Sequence, residues 1–139
     1  MEKRNSRLLG LSLSLLIAAS AVVGASAASA GGTWVSYTHS GIPTFGGTSY
    51  NTTKLNKKVT VSTSGSMMAT STLPALGTYG RLISTQKRDR SDAISLTKHK
   101  QAMKTSADKG ESVGDKVSSS ALEFNKTKVT VKFSPDNLT

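Results

Sequence analysis

The chain of 139 residues contains no cysteine and only two histidines, which excludes several kinds of site. Without cysteine there is no disulfide framework of the kind that small secreted domains use to compensate for a thin core. A zinc centre needs about four ligands, commonly Cys or His, and His39 and His99 lie far apart in the sequence. We therefore expect both to be surface histidines, and we predict neither a metal ion nor a cofactor.

Acidic residues are also scarce, with 8 Asp and Glu in the whole chain. The acids that come closest together are Asp108, Glu111 and Asp115, a spacing too sparse for a calcium loop. The chain has neither the Gly-x-Ser-x-Gly elbow of many hydrolases nor a phosphate-binding glycine loop. These absences favour a non-enzymatic protein, with a small secreted hydrolase or inhibitor as an alternative.

The first thirty residues have the composition of a secretion signal. A basic start precedes an apolar run of about 16 residues, Leu8–Val23, which is shorter than the roughly 20 residues that span a bilayer. Small residues then offer signal peptidase two sites, after Ala27 or after Ala30. No cysteine follows the run, so a lipoprotein anchor is excluded. The sequence predicts a helical signal peptide over residues 1–30 and one secreted, extracellular β domain over residues 31–139.

The charge balance is strongly basic. The whole chain carries a formal charge of +10, and removing the three cations and one acid of the predicted signal leaves +8. Outside a cell, such a charge favours anionic partners, namely wall polymers or a membrane surface. Single-stranded nucleic acid is recognised by basic and aromatic residues together, and the basic clusters lack neighbouring aromatics in the sequence. We expect no specific nucleic acid partner. The alternative is that the charge only keeps the domain soluble.

Lys and Arg are the only enriched type of chemically functional residue, and they occur in short clusters. If neighbouring strands align these clusters, they form a cationic surface that can bind phosphate groups. The predicted anionic-polymer-binding residues are Lys87, Arg88, Arg90, Lys98, Lys100, Lys126, Lys128 and Lys132. For Lys128 and Lys132 an equally good interpretation is that outward lysines discourage pairing between sheet edges.

Apolar and polar residues alternate in short segments rich in Val and Thr, a pattern typical of strands. The predicted strands are Thr33–Thr38 at a sheet edge, Lys57–Thr63, Met67–Thr72, Thr78–Thr85, Ala93–Thr97, Val117–Phe124 and Lys128–Ser134. About seven short antiparallel strands joined by Ser, Thr and Gly loops predict an all-β fold, a small antiparallel β-sandwich or barrel.

Two of these strands have the clearest period. In Lys57–Thr63 we expect Val59 and Val61 to face inward and Lys58 to face outward. In Lys128–Ser134 the inward residues are expected to be Val129, Val131 and Phe133.

The segments between the strands are read from their turn residues. Ser40–Gly47 is predicted as a loop, Ser64–Ser66 as a tight turn, and Gln86–Asp92 as a solvated turn. Lys98–Lys109 is compatible with either a strand running into a loop or a short helix.

The segment Ala30-Gly31-Gly32-Thr33-Trp34 resembles the mature N-terminus of lactococcin-972-type bacteriocins. Those proteins are small, cysteine-free, secreted β-sandwiches that act on the envelope of competing Gram-positive cells. The run Val117–Asn137 also looks like the final strands of small uncharacterised secreted proteins of the same bacteria. The resemblance implies a secreted β-sandwich without catalytic residues.

The leading hypothesis is a secreted, non-enzymatic, basic β-sandwich that acts at an anionic bacterial envelope in a bacteriocin-like manner. A second hypothesis is a surface or matrix binding module that is retained on wall polymers without harming any cell. The sequence specifies neither a receptor nor an oligomeric state.

Overall fold

The structure is a computed structural model that describes residues 32–138, so the predicted signal peptide and its cleavage sites lie outside the described residues. Within this range the fold is all-β, as predicted, with eight antiparallel strands. The strands are β1 Val35–Ile42, β2 Thr48–Lys57, β3 Ser64–Ala69, β4 Thr78–Ile83, β5 Ile94–Ser95, β6 Gln101–Lys104, β7 Ser112–Ser119 and β8 Thr127–Ser134. In residues 32–138 there is no helix long and apolar enough to cross a membrane.

The strands form two four-stranded sheets. Sheet I has the order β1-β8-β3-β6 and sheet II has the order β2-β7-β4-β5. The chain changes sheet at every connection except β4–β5, so all other strands that are neighbours in a sheet are separated in sequence by at least one further strand. For example, β1 pairs with β8 from Val35↔Phe133 to Ile42↔Thr127. As predicted, the first strand lies at a sheet edge.

The predicted alternation of inward and outward side chains along β8 is confirmed, and it shows which side of sheet I faces the core. Val129, Val131 and Phe133 are fully buried between the sheets, which makes Lys128 and Lys132 project from the opposite side of the strand. The core cluster that contains them also contains Leu82 of β4 and Met67, Val113 and Val117 of β3 and β7. Burying side chains of this size stabilises the fold by about 1.5–3 kcal/mol each.

The prediction for Lys57–Thr63 is wrong. Residues 58–63 follow β2 and form no strand, and Val61 is 82% exposed. Lys58, which alternation places outside, is only 1% exposed. Polar contacts keep Lys58 buried. Its ammonium donates to the carbonyl oxygen of Pro135 at 2.8 Å and lies 3.5 Å from a carboxylate oxygen of Asp136.

The strand before this segment, β2, has no apolar alternation that would reveal it. Its buried positions include Asn51 and Asn56, which are satisfied by hydrogen bonds instead of apolar contacts. The Asn56 amide donates to the carbonyl oxygens of Thr33 and Phe133, at 2.7 and 3.0 Å. A side-chain amide can occupy a buried position when its hydrogen bonds are made. A search for alternating hydrophobic residues does not find such a position.

Other boundaries also differ from the prediction. The strand predicted at Val117–Phe124 is β7, Ser112–Ser119, and residues 120–124 lie in the loop after it. Ser64–Ser66 belongs to β3 and is not a turn, because Gly65 pairs with Met103 and lies against Leu82, where a β-carbon would come within 2.9 Å of the Leu82 side chain. Ser40 to Ile42 extends β1 and is not part of a loop. The ambiguous segment Lys98–Lys109 is a strand running into a loop, with β6 at its centre.

Candidate functional site

The outward surface of sheet I carries cations and no carboxylate from its strands. The four strands contain no Asp or Glu. Pairing and burial place Lys104, Lys128 and Lys132 on the side away from the core. We call this surface the lysine face, and its members are Lys104, Lys128 and Lys132. Two of the three were predicted as binding residues.

Hydroxyl groups lie between the lysines. Thr130 stands between Lys128 and Lys132 on β8, and its hydroxyl is hydrogen-bonded at 2.8 Å to that of Thr38 on β1. Ser36 of β1 is paired with Lys132. A surface of ammonium and hydroxyl groups offers both charge and hydrogen-bond donors to phosphate oxygens.

Lys132 has an aromatic neighbour. Its ammonium lies 5.3 Å from the centre of the Trp34 ring, a cation–π distance. Trp34 is half-buried beside this lysine. The contact holds the lysine against the sheet but leaves the ammonium free of a carboxylate.

Lys98 and Lys100 lie in the connection between β5 and β6, and both are exposed. The Lys100 ammonium donates to the carbonyl oxygen of Leu138 and, at 3.4 Å, to the side-chain oxygen of Asn137. Leu138 is anchored in turn by its amide, which donates to the Ser66 hydroxyl. Lys100 therefore fastens the C-terminal segment over the edge of sheet I.

Lys126 precedes β8 and is exposed at the end of the sandwich where that strand begins. It is next in sequence to the lysine face. Five of the eight predicted residues thus belong to sheet I or to the loops beside its strands: Lys98, Lys100, Lys126, Lys128 and Lys132.

The other three predicted residues follow β4 of sheet II. Lys87 and Arg88 are exposed in the turn after that strand. The Arg90 guanidinium is already engaged, because its Nε donates to the Glu111 carboxylate at 2.7 Å. The eight residues therefore do not form one continuous patch, and sheet I holds the larger group.

Sheet II presents an aromatic and cationic surface that the sequence did not reveal. The ammonium of Lys87 lies 4.7 Å, and that of Lys116 5.9 Å, from the centre of the Tyr50 ring. The basic cluster at Lys87 has no aromatic neighbour in the sequence, but the fold supplies one. Tyr50 is distant from Lys87 in sequence and reaches it only through the β2–β7–β4 pairing.

A carboxylate partly neutralises this surface. Asp89 is bound by Lys116 at 2.8 Å and by the Arg81 guanidinium. The hydrogen bond from Lys116 is the main cause that lowers the pKa of Asp89, and Arg81 acts in the same direction against the opposing effect of burial. The Asp89 charge offsets part of the cationic charge on sheet II.

A buried polar cluster lies between the sheets. The expectation that His39 is a surface residue is wrong, since it is 1% exposed, whereas His99 is exposed as expected. The His39 Nε2 is 2.7 Å from the Asp115 carboxylate and its Nδ1 is 2.9 Å from the Ser49 hydroxyl. The Asn51 amide donates to the other oxygen of Asp115 at 2.9 Å. The fold brings these four side chains together, and no motif in the sequence indicates that they are close.

Hydroxyl, imidazole and carboxylate follow one another here in the order of a hydrolase triad. In such a triad the imidazole must give a proton to the leaving group of the substrate. The His39 ring is enclosed by Tyr37, whose ring centre is 4.7 Å away, and by Asp115 and Ser49. His39 is only 1% exposed, so we interpret the cluster as a hydrogen-bond network that joins the two sheets.

The acidic residues are dispersed. Asp115 is buried beside His39, Glu111 binds Arg90, and Asp108 is exposed. Among residues 32–138 there is no group of three or more His, Asp or Glu side chains arranged to hold a metal ion. In comparisons with protein-family models, curated proteins and solved structures, nothing matches this chain.

Proposed function

We propose that the protein is a secreted, non-enzymatic β-sandwich that binds phosphate-rich polymers of a bacterial envelope through the lysine face. The observation that carries the proposal is that the outward charges on the strands of sheet I are all lysines, with no carboxylate among them. Lys128 and Lys132 lie four residues apart on the same side of β8, which separates their backbone positions by about 13 Å. Cations separated in this way suit a polymer with repeated phosphates better than a compact ligand. The cysteine-free composition and the predicted signal support action outside the cell.

A co-sedimentation experiment with purified cell walls tests the proposal. The walls are used before and after chemical removal of their phosphate polymers. The test variant is Lys128→Gln/Lys132→Gln, and the matched control is Lys54→Gln/Lys57→Gln, which removes the same charge from exposed positions on β2 of sheet II. Thermal melting confirms that both variants are folded.

We expect the wild-type protein and the control to sediment with intact walls and to stay in solution with stripped walls. The test variant should bind several-fold more weakly than the control. Equal losses in the two variants would contradict a site on sheet I and leave only a general effect of net charge. Undiminished binding to stripped walls would contradict a phosphate ligand.

A growth assay on neighbouring Gram-positive species distinguishes a bacteriocin-like activity from simple retention on the wall. In the first case micromolar purified protein slows neighbouring Gram-positive species, and in the second case it binds them without effect. The alternative of a secreted hydrolase depends on the Ser49–His39–Asp115 network, and covalent labelling of Ser49 tests it.

A further inference from the structure

Three loops meet at one end of the sandwich and present large apolar side chains to solvent. They are the β1–β2, β3–β4 and β7–β8 connections. Phe45 is 67% exposed, Leu122 73% and Phe124 69%, and Leu76 is also exposed. We call these four residues the apolar tip. Single exposed hydrophobic residues are common, but a group on adjoining loops marks an interaction site.

Hydrogen bonds join the β1–β2 loop to the β7–β8 loop, and a shared groove brings the β3–β4 loop beside the latter. The Phe45 amide donates to the carbonyl oxygen of Glu123 at 2.6 Å, and the Gly46 amide donates to that of Ser120 at 2.9 Å. A groove of about 540 Å³ runs between the β3–β4 loop and the β7–β8 loop, with Leu76 and Phe124 among its lining residues.

The backbone holds Phe45 outward under strain. Its φ is 53°, in the left-handed region that residues with a β-carbon seldom adopt. Such a conformation persists only where the surroundings impose it, and it is concentrated at functional positions. Here the surroundings impose the exposure of a phenyl ring, which has no evident benefit for a protein in water.

The charges around the apolar tip are basic. Lys126 and Lys128 come two and four residues after Phe124, and both are exposed. The one acid in the three loops is Glu123, which is buried and accepts a hydrogen bond from the Asn125 amide. Protruding apolar side chains bordered by lysines match the interface of an anionic bilayer, where apolar groups enter the acyl region and ammonium groups meet the phosphates.

We infer that the apolar tip inserts into the surface of an anionic lipid membrane, with Lys126 and Lys128 binding the lipid phosphates. The side chains project from loop ends and line no closed pocket, which suits a bilayer better than a protein groove. This inference goes beyond binding of a wall polymer, because it uses the apolar side chains of the tip and a different ligand. Lys128 is common to the lysine face and to the border of the apolar tip, so the variant that tests the inference changes apolar residues alone.

Vesicle binding tests the inference. The test variant is Leu122→Ala/Phe124→Ala, and the matched control is Val61→Ala, which removes apolar surface from a residue that is 82% exposed at the other end of the sandwich. All proteins are compared in the same N-terminal form, so that the apolar run Leu8–Val23 contributes equally. The vesicles contain phosphatidylcholine with or without phosphatidylglycerol.

We expect the wild-type protein and the control to bind the vesicles that contain phosphatidylglycerol. The affinity of the test variant for these vesicles should be lower by a factor of about ten or more. Equal binding by the test variant and the control would overturn the inference. Equal binding to pure phosphatidylcholine would overturn the role of the lysines.

Fluorescence distinguishes insertion from surface attraction. Trp34 is the single tryptophan and precedes β1, roughly 25 Å of strand away from the apolar tip. In the variant Trp34→Phe/Phe124→Trp the only indole stands at the tip, and its emission should shift to shorter wavelength on vesicles. In the wild-type protein the Trp34 emission should not change. An unshifted Trp at position 124 in vesicle-bound protein would contradict insertion.

Failure of this inference is distinguishable from failure of the proposed function. Purified walls contain no bilayer, so the apolar-tip variant should bind them as well as the wild-type protein does. Loss of vesicle binding with wall binding intact identifies the tip as the lipid site. Loss of wall binding in the same variant would contradict the separation of the two surfaces.

Discussion

The Lys58 ammonium and the Asp136 carboxylate, 3.5 Å apart and both removed from solvent, close the end of the sandwich opposite the apolar tip. The carboxylate also accepts hydrogen bonds from the amides of Val59 and Thr60 and from the Thr60 hydroxyl. These contacts tie the segment after β2 to the segment after β8. They take the place of a disulfide in a chain that has no cysteine.

Replacing Asp136 by Ala should lower the free energy of unfolding by about 3–5 kcal/mol, because it leaves a buried ammonium without its charged partner. Chemical denaturation measures the loss. The double variant Lys58→Met/Asp136→Ala should recover part of it, since no uncompensated buried charge remains. A loss below about 1 kcal/mol in the single variant would contradict the importance of this pair.

His39→Ala should destabilise the protein by about 2–4 kcal/mol, because it leaves a cavity and deprives buried Asp115 and Ser49 of a partner. His99→Ala is the matched control and should change stability by less than about 0.5 kcal/mol, since that side chain is exposed. Both values come from urea denaturation. Equal effects of the two substitutions would contradict the burial of His39.

A serine-directed fluorophosphonate should leave Ser49 unmodified, because His39 is too enclosed to assist attack on an electrophile. Intact-mass measurement after incubation checks this. Stoichiometric labelling that disappears in both Ser49→Ala and His39→Ala would contradict the structural interpretation and support the hydrolase alternative.

The pKa of Asp89 is lowered in the folded protein by Lys116 and Arg81. A lowered pKa means that the ionised carboxylate favours the folded state, so this contribution is present above the ordinary pKa of aspartate and is lost as the pH falls through the lowered one. We expect the contribution to be constant near neutral pH and to decrease only below about pH 4. Because the group is exposed, Asp89→Asn should cost less than about 1 kcal/mol at pH 7. Thermal melting from pH 7 to pH 2 compares the two proteins. A difference between the two proteins that grows as the pH falls from 7 to 2 would contradict the assignment.

The sequence predicts the fold best where apolar alternation is uninterrupted. In β8 the period of two identifies every inward residue, because burial of Val129, Val131 and Phe133 alone decides the register. The same rule fails after β2, where the buried contacts of Lys58 outweigh the alternation of Val59 and Val61. A hydrophobic period has no means of detecting a charged side chain whose partner, Asp136, is distant in sequence.

The candidate site was partly predictable for the same reason. Alternation alone places Lys128 and Lys132 outside, so the centre of the lysine face could be found from the sequence. The contact between Tyr50 and Lys87 depends on a sheet order in which β2 and β4 flank β7, and no local pattern encodes that order. The apolar tip likewise arises only when three distant loops meet.

The most direct test of the proposed function is the salt dependence of binding to a soluble glycerol-phosphate polymer. Each phosphate contact made by a lysine releases counterions, so the affinity should fall steadily as salt is raised. The slope of log Kd against log salt should be shallower for Lys128→Gln/Lys132→Gln and unchanged for Lys54→Gln/Lys57→Gln. An affinity that is independent of salt, or the same slope in all three proteins, would contradict binding through the lysine face.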